Sequence, residues 1–360
     1  RPQSTRVNMI NGLIDLHDDK VREAKDQGVP LRKHQFRFTD KTRDFTLNAQ
    51  RKEGAFGKSG VIEAPPGVGK TAVFSKITSA LKYGEEAKDP VRVVILVPTQ
   101  EIRNQTMGHY GERGLGKFAP HLEVGEYPPE PDALDKEVVV MCFASFNKLM
   151  QAGKMPEADA VIVDEVDTAM GDLTKSLLEE YMTDKIGLGL TATAVEAQGD
   201  KSVYTLFEHK IDNMKTPEAI SAGFLAPSQG FVHDVEAEID WRTLPEDPAE
   251  RRRAIRIARL RANFDFAKDL IKEAVEEGLG VMVCCPPGDD IGHAINFAAE
   301  IRDIMIKHEQ GMVSGVRWIM AAAVGGSAKR QTRGDRRVIM DAFAEGKVDV
   351  LTYVKAIGRG

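Results

Sequence analysis

The stretch Gly60 to Thr71, GVIEAPPGVGKT, leaves a chain few ways to fold. Val61 and Ile62 read as the end of a buried strand. Ala64-Pro65-Pro66-Gly67-Val68-Gly69-Lys70-Thr71 follows, and an amphipathic helical run from Ala72 to Tyr83 begins at once. Strand, glycine loop and helix start come in immediate succession. Such a loop turns backbone N–H groups inward at a helix N-terminus, where the helix dipole adds positive potential. An ordinary Gly/Pro turn is the plainer reading of the loop alone. The Gly-Lys-Thr order favours an anion cradle in which Pro66, Gly67, Val68 and Gly69 supply the wrapping backbone. Lys70 then reaches the β- and γ-phosphates of a nucleotide, and the Thr71 hydroxyl suits Mg²⁺. The first position of the loop is Ala64, not Gly.

Around this loop, apolar strands alternate with helices. VRVVILV at 91–97, Val138 to Phe143, Ala160 to Val163 and Ile186 to Leu190 read as buried strands. Helices are expected from Glu101 and over Ser145 to Gln151. An amphipathic helix is expected over residues 7–27, and residues 111–135, rich in Gly and Pro, read as a surface excursion. The pattern predicts an α/β fold with a parallel sheet. Its chemically suggestive residues fall just after strand ends, where open α/β sheets bind ligands.

After Pro227 the composition changes. Residues 228–248 are acidic and read as a linker, with room for one strand. The expected division is a first domain over 1–227, the linker over 228–248, and a second α/β domain over 249–360. In that second domain a long helix is expected over Ala249 to Glu277, a strand over Val281 to Cys285 and a helix from about Ile291 to His308. Val316 to Met320 reads as a strand, Arg337 to Glu345 as a short helix and Val348 to Val354 as a strand.

A length of 360 residues accommodates two domains with real cores. No apolar run approaches the roughly 20 residues that span a bilayer, and the N-terminal residues show no signal-peptide core, so a cytoplasmic location is expected. Three cysteines, Cys142, Cys284 and Cys285, give neither a disulfide framework nor zinc spacing and read as buried thiols. The net charge of −6 counts against a large nucleic-acid footprint but allows a local basic groove.

Asp164-Glu165-Val166-Asp167 follows the strand AVIV. A carboxylate at a buried strand end beside a phosphate loop suits Mg²⁺, so Asp164 joins Thr71 as a candidate metal ligand. Glu165 is placed to polarise the water that attacks the γ-phosphate. Thr191-Ala192-Thr193 after GLGL reads either as a small-residue turn or as hydroxyls that link the nucleotide to a moving neighbour. Arg32 and Gln35 read either as plain helix surface or, for Gln35, as an amide that hydrogen-bonds the edge of adenine.

In this order the motifs resemble those of superfamily 2 helicases and translocases. LRKHQ, with Arg32 and Gln35, resembles the adenine-reading Q motif, and APPGVGKT resembles motif I. LVPTQEIRNQ is similar to motif Ia, DEVD to motif II and LTATA to motif III. EAISAGFLAP resembles the segment closing the first motor domain in the branch that includes type III restriction motors. VMVCCPP and RRVIMDAFAEGKVDVLTYVKAIGRG are similar to motif IV and to the approach to motif V. The resemblance implies two RecA-like domains in tandem, the second incomplete at Gly360 before the arginine-bearing motif VI. It also implies ATP and Mg²⁺ as ligands, with Lys70, Asp164, Glu165, Thr191 and Thr193 catalytic, and movement along DNA or RNA. The implied alternatives are the motor subunit of a restriction or defence system, and an ATP-switched nucleic-acid clamp. DEVD is neither DEAD nor DEAH, so it assigns no subgroup.

In such motors the strand is held mainly through phosphates and sugars, which makes binding sequence-tolerant. The candidate contacts are Thr99, Arg103 and Gln105 in the first domain, and Ser314, Arg333 and Thr352 in the second. Two basic clusters stand out, Arg251 to Arg261 and Lys329 to Arg337. The first reads as a solvated helix face, and the second as a solvated or a phosphate-contacting loop.

Overall fold

The computed structural model describes residues 32–51, 59–82, 91–109, 114–118, 122–194, 202–227, 230–285, 294–310, 313–324 and 333–353. The expected helix over 7–27 lies outside them. The chain separates into two compact units, Arg1–Ser228 and Gln229–Arg359.

The first unit begins with α1 (Lys33–Arg51), β1 (Ser59–Glu63) and α2 (Lys70–Lys82). β2 (Val93–Val97), α3 (Gln100–Met107) and α4 (Leu115–Phe118) follow. Next come β3 (Val124–Tyr127), β4 (Val138–Cys142), α5 (Phe143–Gln151) and β5 (Ala160–Asp164). α6 (Asp172–Met182), β6 (Ile186–Thr191), β7 (His209–Asn213) and α7 (Thr216–Ser221) complete it. The seven strands form one sheet in the order β3-β4-β2-β5-β6-β1-β7, and every neighbouring pair is parallel.

Alternation within the strands divides the core between the two faces of the sheet. Val93, Ile95, Val97, Ile162 and Leu188 pack on one face with Phe74 and Ile77 of α2. Val94, Leu96, Val161 and Val163 pack on the other with Phe146 of α5 and Leu178 of α6. Burial on both faces explains why these strands are continuous apolar runs.

Two findings differ from the sequence reading here. The excursion over 111–135 contains β3, an edge strand whose Glu126 and Tyr127 sit opposite Val140 and Met141 of β4. β7 adds the polar strand HKIDN at the other edge, against β1. Edge strands need less apolar surface than central ones, so their sequences announce themselves less.

The second unit holds α8 (Pro248–Glu276), β8 (Val281–Cys284), α9 (Ala294–Arg302), β9 (Met305–Gln310) and β10 (Val313–Trp318). β11 (Ala321–Val324), α10 (Arg333–Ala344) and β12 (Val350–Tyr353) follow. β11, β12 and β8 form a three-stranded parallel sheet in that order, and β9 and β10 form an antiparallel ribbon. Phe264 of α8 stacks on Phe297 of α9 with ring centroids 4.2 Å apart.

The helix expected to reach His308 stops at Arg302. Beyond it the period changes from helical to alternating, with Ile306 buried and Met305 and Lys307 exposed, and β10 supplies the ladder partner. Residues 230–247 form no paired strand. Cys142 and Cys285 are buried, whereas Cys284, expected to be buried, is exposed. Among the described residues no helix is long and apolar enough to cross a membrane.

Candidate functional site

The loop between β1 and α2 bends at Gly67 (φ 84°) and Gly69 (φ 85°), both in the left-handed region that favours glycine. A Cβ on Gly69 would lie 2.3 Å from Gln35 Nε2, so this glycine also allows a close approach. Val68 between them is fully buried, while Pro66 and Gly67 are exposed. Lys70 and Thr71 occupy the first turn of α2, where backbone N–H groups lack intrahelical partners.

β1, β6 and β5 are consecutive neighbours in the sheet. Their C-terminal ends therefore gather residues distant in sequence. Lys70 Nζ lies 3.0 Å from Glu165 Oε1, both side chains being more than nine-tenths buried, and 3.5 Å from the Ala64 carbonyl. Asp164 ends β5 and accepts the Glu165 N–H at 3.1 Å. Burial pushes its carboxyl up to about 7, with the Lys70 ammonium opposing and the Glu165 carboxylate adding to the rise. Glu165 itself adopts φ 47°, ψ 51°, ahead of a 3₁₀ turn over Val166–Ala169. A left-handed non-glycine residue costs on the order of 1–3 kcal/mol and marks functional sites.

Thr191 ends β6 and is fully buried. Its hydroxyl donates to Asp167 Oδ1 at 2.8 Å and accepts the Thr193 N–H at 3.0 Å. The Ala64 N–H donates to the Thr191 carbonyl at 2.8 Å. LTATA is thus fastened both to DEVD and to the phosphate loop: Leu190 lies opposite Asp164 in the sheet, and the Thr191 hydroxyl reaches the Asp167 side chain. Thr193 is exposed.

Gln35 has a different surrounding from the one its adenine-reading resemblance implies. Its Nε2 donates to the carbonyls of Val68 at 3.1 Å and Gly69 at 3.3 Å. Its Oε1 accepts the Arg32 N–H at 2.8 Å, the reach-back of a third helical residue to its N-cap. Both ends of the amide therefore bind protein groups, and Arg32 is exposed. His34 was missed by the sequence reading. Its Nε2 lies 2.8 Å from the Val68 carbonyl, and its ring packs on Phe224 with centroids 3.9 Å apart and the planes tilted by 35°. Its place beside Gln35 was the available signal. The loop is thus held from behind by α1 and by the segment that closes the first unit.

The candidate nucleic-acid contacts divide. Thr99 and Gln105 are exposed on α3, and the Thr99 side chain caps that helix by accepting the Ile102 N–H at 3.3 Å. Arg103 is a correction, because it is buried. It pairs with Glu126 at 2.8 Å and donates to the Tyr127 carbonyl at 3.2 Å, so it fastens α3 to β3 and presents no guanidinium to solvent. Thr352 is a second correction. It is fully buried in β12 and donates to the Ala294 carbonyl at 2.6 Å. Arg333 opens α10 and Ser314 lies in β10; their side chains, and Lys329 and Arg330, fall outside the described residues.

Residues 28–196 match the family model described as "Type III restriction enzyme, res subunit". The matched stretch, just under half of the chain, contains the phosphate loop, DEVD and LTATA. Among solved structures, a nuclease-deletion mutant of the Type ISP restriction-modification enzyme LlaGI, in complex with a DNA substrate mimic, is similar at 19% identity and a TM-score of 0.42. That match covers 54% of this chain and 21% of the enzyme, so the chain spans about a fifth of that relative. The Pyrococcus furiosus Hef helicase domain is similar at 14% identity and a TM-score of 0.45, covering 87% of both chains. None of the curated proteins matches the chain in sequence.

Proposed function

We propose that this chain is an ATP-dependent nucleic-acid helicase or translocase whose hydrolytic site is the sheet-end cluster of the first unit. The observation that carries the reading is the buried Lys70–Glu165 pair, with Asp164 beside it, at the mouth of the Gly67–Gly69 loop. An ammonium held by a carboxylate at 3.0 Å is poised to exchange that partner for phosphate oxygens. Glu165 is then released to act as the base for an attacking water.

The residues fit a magnesium ion. Thr71 offers a hydroxyl and Asp164 a buried carboxyl whose ionised form a bound cation would favour against the burial that raises its pKa, the few hard oxygen donors Mg²⁺ requires of a protein. Bound there, Mg²⁺ supplies positive charge against the phosphate oxygens. The loop amides and Lys70 orient the phosphates. Thr191 couples the state of DEVD to the phosphate loop through Asp167 and Ala64. Thr99 and Gln105 are placed for backbone contacts to a DNA or RNA strand. Beyond the sheet-end cluster, we assign residues 1–227 to a first motor domain and 249–360 to a second.

The family match favours one specialisation of this reading, the motor of a restriction or defence system. The test is ATP hydrolysis by the whole chain with single- and double-stranded DNA and with RNA. Strong stimulation by at least one of them is expected. Turnover indifferent to all of them would sink the motor reading.

A further inference from the structure

We propose that His34 and Gln35 are positioning residues for the phosphate loop, and that through them the site grips the phosphates of a nucleoside triphosphate whatever base they carry. This rests on the nucleotide-binding reading above and departs from the adenine-reading role that the resemblance implies for Gln35.

The two side chains converge on two consecutive carbonyls of the loop. The Val68 carbonyl accepts from His34 Nε2 at 2.8 Å and from Gln35 Nε2 at 3.1 Å, and the Gly69 carbonyl accepts from Gln35 Nε2 at 3.3 Å. A carbonyl only accepts, so the imidazole proton sits on Nε2. Both side chains are almost fully buried. The Val68–Gly69 and Gly69–Lys70 peptides are trans, and in a trans peptide the C=O and the N–H point in opposite directions. Drawing the two carbonyls toward α1 therefore turns the N–H groups of Gly69 and Lys70 away from it. Backbone N–H groups at a turn into a helix are the donors a phosphate takes. Donors fixed before the charge arrives need no reorganisation when it does.

α1 stays in place without these bonds. Phe38 belongs to the same core cluster as Phe74 and Ile77 of α2. Arg37 ties the helix to β7 and α7 through Asp212 at 2.7 Å, Glu218 at 2.6 Å and the Asn213 carbonyl at 2.6 Å. The imidazole is backed in turn by Phe224, and a Cβ on Gly67 would meet the next residue, Leu225, at 3.1 Å. The loop thus rests on a support that is anchored elsewhere.

Reading adenine needs a free donor and a free acceptor on the Gln35 amide. Its Oε1 accepts the Arg32 N–H at 2.8 Å and its Nε2 holds the two loop carbonyls, so all of these bonds would first have to break. His34 is held through Nε2 alone, its buried Nδ1 having no hydrogen-bond partner among the described residues.

The test measures binding of ATP, GTP and inorganic tripolyphosphate to the whole chain in magnesium buffer, by calorimetry at a temperature where every variant remains folded. Q35M keeps the side-chain volume and removes the amide. H34Q carries a donor close to the place of the imidazole Nε2, whereas H34N carries one close to Nδ1. In Q35M and in H34N the affinity for all three probes should fall by the same factor, about 5- to 50-fold, with the ATP-to-GTP ratio unchanged from the wild type. H34Q should keep most of the binding. Melting temperatures should stay close to that of the wild type, since α1 retains Phe38 and Arg37. Loss of ATP affinity alone in Q35M, with GTP and tripolyphosphate binding intact, would return Gln35 to the adenine and overturn the proposal. Unchanged affinities in both Q35M and H34N would overturn it as well, and equal losses in H34Q and H34N would remove the donor role of His34. A wild type that binds none of the probes would overturn the nucleotide-binding reading itself.

Discussion

Lys70 meets Glu165 at 3.0 Å, and Arg103 meets Glu126 at 2.8 Å. Both pairs are almost fully buried, and both join a helix to the same parallel sheet: Lys70 of α2 to Glu165 just after β5, and Arg103 of α3 to Glu126 within β3. Their surroundings separate them. Among the described residues Lys70 has one further polar partner, the Ala64 carbonyl at 3.5 Å, and it stands close in sequence to the exposed Pro66 and Gly67. Arg103 also donates to the Tyr127 carbonyl, and His109 binds the second oxygen of Glu126. The first pair keeps donors in reserve at an open loop, where a phosphate can replace the carboxylate. The second shares its charges with a backbone carbonyl and a histidine away from the loop, and locks α3 against the edge strand β3. A buried ion pair therefore says little about function until the partners it still lacks are counted.

Three substitutions test this contrast. Lys70→Ala should reduce ATP turnover at least about 10²-fold while denaturant unfolding shows a loss below about 2 kcal/mol, because water enters from the loop side. A stability loss as large as that of the second pair would erase the distinction. Arg103→Ala takes the guanidinium from the buried Glu126 carboxylate, and should cost about 3–5 kcal/mol in the same unfolding measurement. At temperatures where it remains folded, its nucleotide affinity should match the wild type. His109→Gln should change stability by less than about 1 kcal/mol, since His109 is half exposed. A larger loss would make the lock a three-residue unit.

The central strands were legible because burial on both faces demands uninterrupted apolar residues, as in Val93–Val97. β3 and β7 were not, since an edge strand has one neighbour and tolerates Gly125, Glu126 or His209-Lys210. Helix and ribbon were confused after Arg302 because Ile301, Ile304 and Ile306 suit either period until β10 supplies a partner. Lys70, Thr71, Asp164, Glu165 and Thr191 were readable as site residues from motif order. Arg103 and Thr352 were misread because a motif gives a residue type at a spacing, while burial and pairing are set by what packs over it.

By itself, the sequence determined the local order of strand, glycine loop and helix, and a carboxylate pair after an apolar strand. These are consequences of backbone sterics and short-range apolar pattern. The tertiary structure decided which of them meet. Setting β6 between β5 and β1 brings Glu165 to Lys70 across ninety-odd residues of chain and threads Thr191 between them. It also turns Gln35 and His34 onto the back of the loop and closes Arg103 under β3. Those outcomes depend on strand order and on burial, and neither is written in any local stretch of the chain.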